Sequence, residues 1–92
     1  IEFTLLNREV SDLVTVDLIY TDGLEALYLD GELCLVDEII DLERVLFILE
    51  GKTISKVTTN SIEERAFVNK YQYEFPMYVS DIDSIDYEVL YN

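Results

Sequence analysis

The 92-residue chain has no His and no Trp, one Cys, one Pro, three Gly and only six basic residues. Each shortage excludes something. Without His, the Ser/His and Cys/His pairs that activate a nucleophile cannot be built. Cys34 has no Lys or Arg beside it and reads as a small sheet residue. No glycine-rich phosphate loop is present, and among 20 acidic residues some neighbouring carboxylate pair is inevitable and carries no catalytic signal. The expectation is a protein that is not an enzyme and needs no cofactor. A single Cys closes no internal disulfide, which suits a reducing cytoplasm. No run approaches the roughly 20 apolar residues of a membrane span, and no basic segment leads into an apolar one as in a signal peptide. A soluble cytoplasmic protein with no membrane partner is expected, in the host cell if it is phage-encoded. Six scattered Lys and Arg also argue against direct nucleic-acid binding, which relies on clustered cations. The chain begins with Ile1 rather than Met, so the removal of an upstream residue or tag is expected.

What is abundant is apolar surface and negative charge. Half the residues are hydrophobic, so a folded single domain over 1–92 is expected rather than a disordered chain. The net charge is -14, unevenly spread. Residues 1–51 carry 13 acids against Arg8 and Arg44, whereas residues 52–80 carry three acids against Lys52, Lys56, Arg65 and Lys70. Residues 81–92 add Asp81, Asp83, Asp86 and Glu88 with no cation.

Residues 13–20 are rich in β-branched and aromatic side chains with approximate apolar alternation and run into Asp22-Gly23, and a second Asp-Gly follows at Asp30-Gly31. Asp-Gly supplies the positive φ of type I′ hairpin turns, so residues 13–36 read as a three-stranded antiparallel meander. Two-residue turns set Leu18 against Leu27, Val16 against Leu29, and Leu27 against Cys34. One face then holds Val14, Val16, Leu18, Leu27, Leu29 and Cys34; the other holds Ile19, Ala26, Tyr28, Leu33 and Leu35, interrupted by Asp17. Residues 37–50 switch to helical spacing with Ile39, Leu42, Leu46 and Leu49 on one stripe, and Gly51 follows the last turn. Residues 53–59 suit a strand. Ser61 with Glu64 forms a capping-box pattern for a short helix to about Lys70, and residues 71–79 and 86–91 suit further strands, with Pro76 at an edge or a break. The fold class is α+β. Both sheet faces are apolar and the long helix covers one, so the other needs the second helix, the C-terminal segment or another chain, a homodimer included.

The run from Asp22 to Leu33, with Leu27-Tyr28-Leu29-Asp30-Gly31-Glu32-Leu33 at its centre and a helix after it, resembles a group of small phage and bacterial proteins. These share a Leu-Tyr-(apolar)-Asp-Gly-x-Leu hairpin, a helix and a later apolar-Pro segment, echoed here by Phe75-Pro76. The resemblance implies a phage-type origin. Where those proteins carry Glu-Gly-His before the helix, this chain has Val36, Asp37 and Glu38, so any role of that His is absent.

Three functional readings remain. Duplex DNA carries one charge per about 1.7 Å, and carboxylates two apart on a strand lie about 6.6 Å apart, so dense acids on a small sheet can imitate a phosphate track. The leading expectation is an inhibitor of this kind, of phage anti-defence type, that blocks a basic nucleic-acid-handling protein. Asp17, Asp22, Glu25, Asp30 and Glu32 would meet the partner, with Asp81, Asp83, Asp86, Tyr87 and Glu88 as a second patch. Tyr87, flanked by two acids, suits a surface that meets Arg or Lys. The alternatives are an immunity protein against a nuclease toxin, and a homo-oligomeric interaction module whose acidity serves only solubility. The C-terminal acids fail as a calcium loop, because a loop opening at Asp81 has Asp86 where Gly is required and Asn92 where the bidentate Glu belongs, so no metal is expected.

Overall fold

The computed structural model describes residues 13–21 and 23–88. They form an α+β domain: β1 (Leu13–Thr21), β2 (Leu24–Leu29), β3 (Glu32–Asp37), α1 (Leu42–Ile48), β4 (Thr53–Ser61) and α2 (Glu64–Asn69), then two 3₁₀ turns at Val79–Asp81 and Ser84–Asp86. The sheet order is β3-β2-β1-β4. The first three strands are the expected meander, and β4 returns across the sheet to lie parallel to β1 at the far edge.

The hairpin from β1 to β2 keeps the expected register, Val16 opposite Leu29 and Leu18 opposite Leu27. At the second turn Asp30 and Gly31 both take positive φ, 49° and 84°, as a type I′ turn requires. The Asp30 carboxylate accepts the Thr15 backbone N–H at 2.9 Å, and the Asp30 N–H donates to the Thr15 carbonyl at 2.9 Å, so the turn is tied to β1 as well as to its own strands.

The second hairpin departs from the expected register. Leu29 faces Glu32 and Tyr28 faces Leu33, but Leu27 then faces Leu35, and a bulge at Cys34 takes up the extra residue. Side chains alternate along a strand, so one inserted residue inverts everything beyond it. Leu33 stays on the Tyr28 face, Leu35 crosses to the Leu27 face, and Cys34 is left exposed rather than paired with Leu27.

Helix α1 is shorter than the periodicity suggested. Asp37 ends β3, and the helix starts only after Asp41, whose carboxylate caps the Arg44 N–H at 2.8 Å. The Ile40 N–H donates to Glu25 Oε1 at 2.8 Å, anchoring the approach to β2. With the start fixed at Asp41, the face turned to the sheet is Val45, Ile48 and Leu49 with Ile40, packed against Val14, Val16 and Leu27. Of the expected core stripe only Leu49 packs inward; Ile39, Leu42 and Leu46 face solvent.

The opposite face is closed from within the chain. Ile19, Ala26 and Tyr28 pack against Ile62, Phe67 of α2, Phe75 and Ile82, with Leu24, Leu33, Tyr71, Val79 and Tyr87 around them. This removes the need for a second chain over that face. Several expected elements differ here. Ser61 does not cap α2, because it sits in the β4 ladder opposite Tyr20; the cap position is Glu63, whose N–H donates to the Asp86 carbonyl at 2.8 Å. Residues 71–79 are not a strand. Gln72 and Tyr73 take φ of 53° and 66°, and these two left-handed residues turn the chain so that Phe75 enters the core. The segment then touches β3 through one bridge, Glu32 to Tyr78, with the Leu33 N–H donating to the Met77 carbonyl at 2.7 Å. Of the expected last strand, Asp86 lies in a 3₁₀ turn and Tyr87 makes a single bridge to Ile62; residues 89–92 lie outside the described residues.

Candidate functional site

The acids singled out in the sequence divide into those held by the fold and those left to solvent. Glu25 and Asp30 accept backbone N–H groups of Ile40 and Thr15 and are structural in that sense. Asp83 and Asp86 meet Lys70, whose ammonium bonds both carboxylates, Asp86 at 2.8 Å. The Tyr71 hydroxyl donates to Asp86 at 2.6 Å and accepts the Asp83 N–H at 3.1 Å. This cluster ties the C-terminal segment to the end of α2. The Lys70 ammonium and the Tyr71 hydroxyl hold the Asp86 carboxyl below the usual carboxylate range, and the two carboxylates raise Lys70.

Asp17 sits half-buried in the middle of β1, opposite Tyr28 and Thr58. Burial raises its pKa, and the nearby Lys56 ammonium partly offsets the rise. Tyr87 is also half-buried and packs on the core; burial raises its hydroxyl pKa, with the Asp17 charge adding to the rise. Tyr28 is raised further, by burial first and then by Tyr87 and Asp81, and its hydroxyl donates to the Pro76 carbonyl at 2.7 Å. Glu32, Asp81 and Glu88 are exposed. The Glu32–Tyr78 bridge and the Asp81 N–H bond to the Tyr78 carbonyl at 3.0 Å bring Glu32 and Asp81, 49 positions apart in sequence, to either side of Tyr78. Asp22 lies outside the described residues. Of the acids in the two expected patches, Glu25, Asp30, Asp83 and Asp86 are thus engaged by the fold itself.

A second surface was not anticipated. Five of the seven residues of α1 are apolar, and a helix apolar on all sides is normally enclosed. Here none of them is fully buried. Leu42 is 71% exposed, Leu46 60% and Phe47 78%, and Ile39 just before the helix is 72% exposed. Beside them a groove of about 410 Å³ runs between α1 and β3, lined by Leu35, Phe47 and Ile48 with Asp41, Glu43 and Arg44. Arg44 is not available to a ligand as a free cation. Its guanidinium bonds Asp37 at 2.9 Å, Asp41 at 3.1 Å and the Ile39 carbonyl at 2.7 Å. The Glu38 N–H and then Arg44 hold Asp37 below the usual carboxylate range, and the Arg44 backbone and guanidinium do the same for Asp41. The available signal was the composition of LERVLFI itself, in which only two residues are polar.

No protein-family model, curated protein or solved structure matches this chain. Among the described residues no helix is long and apolar enough to cross a membrane.

Proposed function

We propose that the chain is a stoichiometric protein-binding inhibitor whose acidic surface docks on a basic, nucleic-acid-handling protein and blocks it, in the manner of a phage anti-defence protein. The observation that carries this reading is the surplus of carboxylates: 20 acids against six cations, with Arg44 and Lys70 each already holding two carboxylates. Such a surface draws a cationic partner in over long distances and repels nucleic acid itself. Glu32, Asp81 and Glu88, exposed like Asp30 and Asp83 but without their bonds to the fold among the described residues, are the steering residues. The phage-type setting rests on the resemblance of the hairpin over residues 22–33.

The test is a tagged pull-down from bacterial lysate after nuclease treatment, washed at low and then high salt. Recovery of one basic nucleic-acid enzyme that salt releases, and whose activity falls in proportion to added chain, supports the reading. The identity of that enzyme separates a defence system from a nuclease toxin and hence an anti-defence protein from an immunity protein. Recovery of the bait alone, or binding indifferent to salt, overturns it, because exposed charges are screened over about 8 Å at physiological ionic strength.

A further inference from the structure

We infer that the outer side of α1, with Ile39, Leu42, Leu46 and Phe47, is the apolar anchor of a docking surface for a cationic amphipathic helix of a partner protein. The inference rests on the basic-partner reading above and names where the apolar contact falls. Isolated exposed apolar residues need no explanation, but these four lie within nine consecutive positions, on a helix whose other side already fills its place in the core.

Charge decides the occupant. The segment from 37 to 50 carries Asp37, Glu38, Asp41, Glu43 and Glu50 against Arg44 alone. Arg44 is engaged by Asp37 and Asp41, which leaves Glu38, Glu43 and Glu50 exposed beside the apolar residues. Such a rim repels phosphate, whether in nucleic acid or in an anionic bilayer. It also opposes a second copy, since a two-fold contact through this face sets the same acids against themselves. A helix with Leu-type residues on one side and Lys or Arg on its flanks satisfies both parts: its apolar ridge lies along α1 and the adjoining groove, and its cations meet the acidic rim. Phe47, the most exposed of the four, lines that groove and has the character of a hot spot, a large aromatic desolvated on binding.

The probe is a synthetic amphipathic helix of Leu and Lys, roughly 18 residues long, with a Leu/Glu helix of the same pattern as its counterpart. Binding to the full chain is followed by fluorescence anisotropy, and the contact is mapped by backbone amide shifts. The expected result is binding of the Lys helix but not the Glu helix, shifts centred on residues 38–48, and about tenfold or greater weakening by Leu46→Ser and by Phe47→Ser. Ile85→Ser, equally exposed but elsewhere, leaves the affinity unchanged. Because the substituted side chains are exposed, thermal midpoints stay near that of the parent chain and separate lost contact from lost fold. Affinity indifferent to both α1 variants, or shifts confined to the C-terminal acids, overturns the inference while leaving an acidic binder. A dimer in sedimentation that Phe47→Ser dissolves overturns it in favour of a second copy. If the α1 variants weaken the Lys helix but no basic enzyme is captured from lysate, the surface stands and the inhibitor reading falls.

Discussion

The two faces of the sheet are covered by opposite means. On one, α1 lays about two regular turns of helix over Val14, Val16 and Leu27, yet leaves its own outer side apolar and wet. On the other, a short helix and a mostly irregular segment bury Ile19, Tyr28, Ile62, Phe67, Phe75 and Ile82 and are pinned outside by Lys70, Asp83 and Asp86, with Tyr73, Met77 and Ile85 scattered on the exterior. Regular structure is thus not what makes a good cover. The irregular segment succeeds because single residues are placed by specific bonds: the Tyr28 hydroxyl on Pro76, the Met77 carbonyl on Leu33, the Asp86 carbonyl on Glu63. The regular helix covers only as much as one side of a cylinder allows.

Substitutions sharpen that contrast, and the largest effect belongs to the irregularly covered face. Ile19→Ala empties a fully buried site between Ala26 and the C-terminal cover and should cost about 2–5 kcal/mol, read from the urea midpoint. A loss under 1 kcal/mol would mean that this face is looser than described. Tyr28→Phe keeps the ring but orphans the Pro76 carbonyl, with an expected cost of about 1–3 kcal/mol in the same measurement.

A smaller effect comes from pH, and the two notable aspartates act in opposite senses. Asp86 has a folded pKa below the ordinary 3.8 of an aspartate, so its contribution is complete above that value and fades as the pH falls through the lowered one. Amide exchange at residues 79–88 should accelerate in acid before exchange in α1 does, and Asp86→Asn should bring that acceleration to neutral pH. Asp17 has a raised folded pKa, so its charge works against folding once the pH exceeds that raised value. Asp17→Asn should therefore raise the thermal midpoint slightly at pH 7, and the gain should vanish below about pH 3.8. Smallest of all, Leu46→Ser on the outer side of α1 should shift stability by no more than about 0.5 kcal/mol, because a side chain that is already exposed loses little packing. A large loss there would show that the outer side is a core surface after all.

Much of the fold was legible because local rules and tertiary packing agreed. The two Asp-Gly pairs required hairpins whatever lay around them, and the register of the first hairpin followed from a two-residue turn and a period of two. The α+β class, the helix after the meander and the strand over residues 53–59 followed from periodicity in the same way. The candidate site was less legible. Acids advertise charge but not partners, and only the tertiary structure could set Lys70 beside Asp83 and Asp86, or Glu25 beneath the approach to α1.

The failures have local causes with non-local effects. The bulge at Cys34 leaves no mark in composition, yet it moves Leu35 to the other side of the sheet. The helix stripe differs from the periodicity because a largely apolar helix fits more than one face, and the cap at Asp41 together with the Glu25 anchor chose the one made by Val45, Ile48 and Leu49. By itself the sequence determined the class, the meander, its turns and the negative surface, since these follow from φ preference, side-chain period and net charge. Only the tertiary structure decided which apolar residues are core and which acids are free, because burial and pairing depend on what the rest of the chain brings alongside.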